Sequence, residues 1–357
     1  MRSIVNQFLI LGNILDIKAH KEGHINDTYY IQTDHPMTYV LQRINHEVFE
    51  NVDQLMSNIK RITIYLSDYH TQNGNQHYQV LELIDTKDYK TYVCHNKNYY
   101  RMYKVIENAI TYQEVPHIDY MEKTGVVLGQ FQLMLEAFNM SELYETIPGF
   151  HDTLKRYHDF EKAVLQTSKD RYKKSADLIE ALRQRKDYAH QITEGINQKQ
   201  IPVRVTHNDT KLNNILFDRE TGHPICLIDF DTVMPGSALY DFGDAIRFAC
   251  NTAKEDETDL SLVSLNLLYF KAFTKGYMHT VGHALTLREK ELLALSPLVI
   301  TYELTMRFLE DYLNHDRYFK VEYATHNLIR AKNQFALLCS MEENYEKMKA
   351  IVIDYNV

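Results

Sequence analysis

The periodicity of the apolar residues changes near residue 108, and that change limits the fold more than any other feature of the chain. Before it come short runs rich in β-branched and aromatic residues: 14–20 (ILDIKAH), 28–33 (TYYIQT), 38–44 (TYVLQRI), 79–85 (QVLELID), 91–95 (TYVCH) and 99–107 (YYRMYKVIE). Turn-forming stretches such as KEGHIND and DHPM separate them, so they read as strands. One helical pattern, 52–69, interrupts them, and Ile4, Val5, Phe8 and Leu9 predict a short N-terminal helix ended by Gly12. After 108, helical spacing runs through 119–138, 153–168, 171–194, 239–251, 259–278, 287–313 and 326–350. A compact β insert (VRVTH, NNILFD, ICLIDFDT) lies among these helices. The expectation is an α+β chain: a β-rich unit with one main helix over 1–107, then a mainly helical unit over 108–357. Single cores stop growing near about 250–300 residues, so a chain of 357 divides.

Composition removes several function classes. Hydrophobic residues make up 45% and charged residues 24%, the profile of an ordinary globular protein. The net charge is -9, and no Lys/Arg block offers the basic face that nucleic acid or an anionic membrane requires. No stretch of about 18 apolar residues predicts a membrane span. Asn6 and Gln7 break the apolar N-terminal run, which argues against a secretory leader. Cys94, Cys226, Cys250 and Cys339 are widely spaced and form neither a disulfide framework nor a zinc pattern, so a reducing, cytoplasmic location is expected.

The segment VTHNDTKLNNILFD carries the chemistry. An apolar strand ends at His207, Asp209 follows, Asn214 comes five residues later, and Asp229 closes the strand ICLIDFD. Phosphoryl transfer needs a carboxylate to orient the attacking hydroxyl and hard oxygens to hold a magnesium ion against a triphosphate. An Asp–Asn loop and a strand-end Asp supply both, and the strands on either side of the intervening turn can pair as a hairpin. Taken singly, Asp209 and Asn214 are also ordinary turn residues; the ordered set favours the chemical reading.

The pattern H-x-D-x-x-x-x-N followed by I-D-F-D resembles the aminoglycoside phosphotransferase and choline kinase superfamily, relatives of the protein kinases. GHINDTYYI, YVLQRIN, YRMYKVIE, FHDT, RVTHNDTKLNNIL, IDFDTVMPGSALYDFGDAIRF, MRFLEDYL and THNLIR extend the resemblance, in order from about residue 23 to 330, to its N-acetylhexosamine 1-kinase branch. The resemblance implies a protein-kinase-like bilobal fold. It also implies transfer of the ATP γ-phosphate to the anomeric hydroxyl of N-acetylglucosamine or N-acetylgalactosamine. By motif, Asp209 takes the base position and Asn214 and Asp229 the Mg2+ positions. Asp231 is a further candidate near the metal, and His207 braces the loop. Asp241, Asp244 and Arg247, in a D-F-G-containing segment after Asp229, read as helix caps and braces.

On the nucleotide side, KEGHINDTYYI is the expected turn over the phosphates, with Gly23 for close approach and Asn26 and Thr28 as hydrogen-bonding groups. An ordinary hairpin turn fits that segment equally well. The strand lysine of kinases is replaced by Gln42, which donates hydrogen bonds but carries no charge. Arg101, Lys104 and Lys60 are the alternative cations, unranked. Residues Lys104 to Glu107 are the expected adenine hinge. On the acceptor side Lys211 reads equally as a phosphate or sugar contact and as a solvated loop residue. Glu303, Arg307 and Asp311 share one helix face at i, i+4, i+8, which alone reads as a solvated ion-paired face. The resemblance instead directs Arg307 and Tyr318 at the sugar. Two rival readings remain: a superfamily kinase for an aminoglycoside, homoserine, choline or methylthioribose, and a pseudokinase, which Gln42 would suit.

Overall fold

The computed structural model describes residues 1–20, 25–74 and 78–355. Its backbone forms two compact units: Met1–Ile110 with Ser141–Pro148 and Leu216–Met234, and Thr111–Met140 with Gly149–Ile215 and Pro235–Val357.

The first unit is built on an antiparallel sheet of β1 (Ile14–His20), β2 (Asp27–Thr33), β3 (Tyr39–Ile44), β4 (Val93–His95) and β5 (Asn98–Lys104), in the order β1-β2-β3-β5-β4. The register sets Thr28 opposite Gln42, and Gln42 opposite Arg101. Ile31, Tyr39, Leu41 and Met102 bury one face against Ile4, Val5, Phe8 and Ile84. The N-terminal helix is shorter than its apolar pattern suggests, Arg2–Val5. Phe8 pairs with Thr86 and Leu9 N–H donates to Asp85 O, so the chain is already strand-like before Gly12, and Leu9 is exposed. The segment 79–85 forms no regular strand. Val93–His95 occupies the part of the β5 edge at Asn98–Tyr100, leaving only Met102 and Lys104 to bond with residues 82–84.

Helix Val52–Asn73 is capped by Asn51, which accepts from Gln54 N–H, and by left-handed Gly74. Its buried Asn58 donates to Tyr144 O and Val233 O and accepts from Tyr144 N–H. One side chain thereby ties three separate segments of this unit together. The strands Ile215–Asp218 and Pro224–Leu227 form the expected hairpin, with Ala109–Ile110 alongside.

The second unit is helical around Ser296–Leu313, which is buried along almost its whole length and packs against Thr153–Gln166, Ala238–Ala249 and His326–Glu343. A helix enclosed on all sides is a core element, not an amphipathic one. Several expected helices are broken. The 287–313 pattern splits into Leu287–Leu292 and Ser296–Leu313, with Pro297 in the first turn of the second, where its missing N–H costs nothing. The 171–194 pattern yields Lys169–Arg183 and two short helices, and 326–350 divides at Asn344. Among the described residues no helix is long and apolar enough to cross a membrane.

Helices Ile118–Met134 and Leu267–Val281 approach backbone to backbone through Gly125 and Gly276. A Cβ on Gly276 would strike the carbonyl oxygen of Glu122. Backbone cannot give way as a side chain does, so Gly276→Ala is expected to lower stability by about 1–3 kcal/mol, read as a lower urea midpoint at unchanged slope. An unchanged midpoint would show that the two helices separate freely.

Candidate active site

In the second unit, strand Arg204–Thr206 leads into His207–Asn214, and the buried carboxylate of Asp241 receives that segment. His207 N–H donates to Oδ2 at 3.0 Å and Asn208 N–H to Oδ1 at 2.7 Å. Thr210 Oγ1 donates to the Asp241 carbonyl at 2.6 Å. Ser237 caps the helix Ala238–Ala249 and Asp241 lies in its first turn, so Asp241 acts as a brace for the loop while Ser237 acts as the cap. Asn208 sits in the left-handed region at φ 63, a conformation Asn tolerates and these bonds hold. The ring of His207 is fully buried, edge-on to Phe131.

Asp209 follows with its side chain 25% exposed. Lys211 Nζ lies 2.9 Å from its Oδ1, and Asn214 Nδ2 donates to its Oδ2 at 3.0 Å and to its carbonyl at 2.9 Å. Burial favours the neutral acid, but the Lys211 ammonium, helped by His207 and Arg247, outweighs it and holds the carboxyl down at about 2. Lys211 is therefore no solvated loop residue. It is ion-paired to Asp209 and faces Asp244 and Glu255 as well. With the Asn214 amide nitrogen turned to Asp209, its Oδ1 is bonded to no described residue and has the hardness a magnesium ion takes.

The Glu303–Arg307–Asp311 face is buried, which removes the solvated reading. Asp311 accepts from the N–H groups of Arg317, Tyr318 and Phe319 and from Asn327 Nδ2. Those bonds turn the chain after the helix so that Tyr318 and Phe319 come back over Arg307. The Arg307 guanidinium lies 4.7 Å from the Phe150 ring centroid, 5.7 Å from Tyr318 and 5.8 Å from Phe319. It is hydrogen-bonded to no described residue; its nearest carboxylate oxygen, on Glu303, is 3.8 Å away. A cavity of about 290 Å³ is lined by Arg156, Arg307, Glu310, Asp311, Asn314, Arg317, Tyr318 and Phe319.

In the first unit, Gly23 lies outside the described residues. Asn26 is engaged at both ends, Nδ2 donating to Asp231 Oδ2 and Oδ1 accepting from Asn45 N–H. Thr28 Oγ1 accepts from Gln42 Nε2 at 3.4 Å. Gln42 Oε1 in turn accepts from Arg101 Nε at 3.0 Å and Nη2 at 2.8 Å, and Arg101 Nη1 pairs with Asp231. Arg101 is fully buried; burial opposes its charge, and Asp231 more than restores it. Of the three alternative cations Arg101 is the one built in beside Gln42. Lys104 is exposed and pairs with Glu82, and Lys60 lies 3.9 Å from Asp85. Asp231 pairs with Arg101 and accepts from Asn26 Nδ2. Asp229 is exposed and left-handed at φ 63. In the expected hinge, Lys104 N–H bonds Glu82 O and Val105 N–H bonds Thr38 O. Among Lys104–Glu107, the N–H groups of Ile106 and of exposed Glu107 have no acceptor among the described residues.

The APH phosphotransferase enzyme family matches residues 16–261. The chain belongs to that family. Solved structures agree with the family in fold. One is a microcompartment-associated aminopropanol kinase, at 14% identity over 98% of this chain and 97% of that one, with a TM-score of 0.60. A spectinomycin phosphotransferase solved with ADP and spectinomycin gives 14% identity, 94% coverage of each chain and 0.57. A Plasmodium vivax ethanolamine kinase gives 13% identity over 90% of this chain and 82% of that one, and 0.59. The sheet-rich N-terminal region and mainly helical remainder are the kinase-like fold of APH phosphotransferases.

Sequence reasoning did not single out Arg156 and gave no individual role to Phe150 or His151, which line or adjoin the Arg307 site. Nor did it find the Arg101–Asp231 pair, 130 residues apart. Removing one partner of such a buried pair leaves an uncompensated charge, so Arg101→Met is expected to cost about 3–5 kcal/mol in denaturant unfolding. Arg101→Met combined with Asp231→Leu should recover most of it. A single variant as stable as wild type would show that the pair is not closed in solution.

Proposed function

We propose that this APH phosphotransferase is an ATP- and Mg2+-dependent kinase that phosphorylates the anomeric hydroxyl of N-acetylglucosamine or N-acetylgalactosamine, giving the α-sugar 1-phosphate. The observation that carries the acceptor class is the buried Arg307 guanidinium, ringed by Phe150, Tyr318 and Phe319 and without a hydrogen-bond acceptor among the described residues. The guanidinium lines the cavity, and its planar fork can give two N–H groups to a ligand with vicinal oxygens. Aromatic rings beside it suit the apolar face of a pyranose. Arg156 and Arg317 share the lining, and the Asp311 carboxylate is neutralised by backbone donors. Glu310 is the other carboxylate of the lining, and three arginines outnumber it, a balance that disfavours choline, an aminoglycoside or another cationic acceptor.

Asp209 is proposed to orient the acceptor hydroxyl and take its proton late in a loose transition state. A carboxylate held at about 2 is a weak base, so its role is mainly to orient the hydroxyl, and the anomeric one, the most acidic on the sugar, asks least of it. Lys211 neutralises Asp209 before the acceptor arrives. Asn214 and the exposed Asp229 keep the metal roles that the motif gives them. No group of three His, Cys, Asp or Glu side chains able to hold an ion stands among the described residues, and magnesium needs no such cage: one or two side-chain oxygens with substrate phosphates and waters suffice. Bound magnesium would neutralise β- and γ-phosphate oxygens. The N–H groups of Ile106 and Glu107 are the candidates for adenine, and Thr28 for a phosphate contact.

Phosphorus NMR of the product, after incubation with ATP, magnesium and a panel including both hexosamines, homoserine, methylthioribose, choline and an aminoglycoside, tests the reading. A sugar 1-phosphate is expected, with a methyl glycoside inert and a 6-deoxy hexosamine still a substrate. A phosphorylated methyl glycoside with an inert 6-deoxy sugar would make the enzyme a 6-kinase. Turnover of choline alone would make it an alcohol-amine kinase. Asp209→Asn should lower kcat by about 10²–10⁴-fold with ATP affinity kept. Arg307→Ala should lower kcat/KM for the sugar by about 10–100-fold, the value of a charged hydrogen-bonding pair, without raising the KM for ATP.

A further inference from the structure

His151 stands between the catalytic loop and the acceptor cavity, and its hydrogen bonds set a proton count. Its Nε2 lies 3.0 Å from the carbonyl oxygen of Asn208, the residue before Asp209. A carbonyl only accepts, so Nε2 carries a hydrogen. Its Nδ1 lies 2.8 Å from Glu303 Oε1, and a proton must lie in that contact too. Glu303 is fully buried, and its other oxygen accepts from Thr153 Oγ1 at 2.9 Å. Burial pushes the Glu303 carboxyl up, but His151, Arg307 and Arg156 together hold it below the usual range. Each ring nitrogen thus faces an oxygen, and a ring carrying a hydrogen on both nitrogens satisfies the two contacts together.

Two further cations approach Glu303: Arg307 Nη1 lies 3.8 Å from the oxygen that His151 contacts, and Arg156 also acts on the carboxylate. Tyr240, from helix Ala238–Ala249, places its ring 5.0 Å from the His151 ring, and Phe150 stacks obliquely at 4.6 Å. Arg307 is on the helix of Glu303, one turn further along, and Arg156 is on Thr153–Gln166. Asp152 faces Tyr240. Asn208 is thus held from two sides, its N–H by Asp241 and its carbonyl by His151, and Glu303 carries the second hold to the helix that bears Arg307.

We infer that His151 and Glu303 are a positioning pair, a buried charged bridge that fixes the Asn208–Asp209 peptide relative to Arg307 and is closed by the second ring proton of His151. The inference rests on reading Asp209 as the base and Arg307 as the acceptor anchor. Neither member of the pair touches substrate; the bridge sets the base against the held hydroxyl, where small misplacements cost rate heavily.

Histidine-labelled nitrogen NMR and kinetics on the full chain test it. Both ring nitrogens of His151 should be protonated at neutral pH in the wild type. In Glu303→Gln the amide can donate to a neutral Nδ1, so one ring nitrogen should lose its proton. Glu303→Gln and His151→Asn should each lower kcat by about tenfold or more and raise the acceptor KM, with the KM for ATP unchanged, as expected for misorientation. Thr153→Val, a milder change, should move kcat and acceptor KM the same way should His151→Asn fail to fold. A singly protonated His151 in the wild type overturns the inference, as does Glu303→Gln with wild-type kinetics. The NMR readout needs no acceptor. A doubly protonated His151 in an enzyme that ignores both hexosamines therefore refutes the acceptor assignment and leaves the bridge standing, and the kinetics are then read with the acceptor that turns over.

Discussion

Two consecutive backbone N–H groups, those of His207 and Asn208, converge on the buried carboxylate of Asp241, and the geometry of the catalytic segment depends on that contact. A buried carboxylate needs donors, and a loop leaving a three-residue strand has N–H groups with no ladder to join. Each satisfies the other. The left-handed turn at Asn208 is what lets adjacent N–H groups point the same way, and it delivers Asp209 with its side chain turned to Lys211 and Asn214. Burial pushes the Asp241 carboxyl up, against His207, its backbone donors and Gln132. The brace is thus a strained electrostatic arrangement held by the surrounding packing. The helix bearing Asp241 is buried over nearly all its residues and packs on Ser296–Leu313, the helix that carries Glu303 and Arg307. The loop and the acceptor side consequently share one rigid foundation.

The first unit handles its charge differently. A kinase strand lysine is a single flexible cation that must find its partners anew. Here Gln42 lies directly opposite Arg101 on the neighbouring strand, and that arginine is a buried cation of the sheet. Arginine suits the place because its planar fork reaches Gln42 Oε1 with two N–H groups while a third reaches Asp231. Lysine could not make that set. Asn26 completes it from the start of β2, so the substitution of Gln for Lys is one part of a five-residue arrangement with Thr28, Arg101 and Asp231.

The fold class was legible because periods of 2.0 and 3.6 occupy different stretches of the chain, and each is enforced by burial. Boundaries failed where a single residue outweighed the pattern. Pro297 restarts a helix that apolar spacing carries through, and Val93–His95 takes a sheet edge that residues 79–85 match equally well in composition. In the site, the Asp209–Asn214 pair was legible because its members are five residues apart and act through one loop. The Glu303–Arg307–Asp311 spacing was legible too, but not its burial: i, i+4 charges look alike on a wet face and in a core. His151 was not legible at all. Its partners lie 57 and 152 residues away, and no local pattern marks a histidine as bridging a loop to a helix.

What distinguishes acceptors in such a site cannot be Asp209. A carboxylate already paired with Lys211 and held at about 2 orients any hydroxyl brought to it, and its weak basicity gives little discrimination beyond favouring the more acidic one. Discrimination has to lie where groups are buried with unmet bonding capacity, because there a wrong ligand leaves a desolvated donor unpaired. Arg307 lines the cavity with its N–H groups bonded to no described residue, whereas Asp311 is filled by backbone donors and Asn327. A cationic acceptor would have to enter beside three arginines, with Glu310 the one lining carboxylate besides the filled Asp311, since Glu303 is committed to His151 and Thr153. A neutral polyol with adjacent oxygens can take two N–H groups of Arg307 without bringing a second cation beside the arginines. That charge asymmetry, more than the Asp209 motif, is the physical argument behind the proposal of a sugar acceptor.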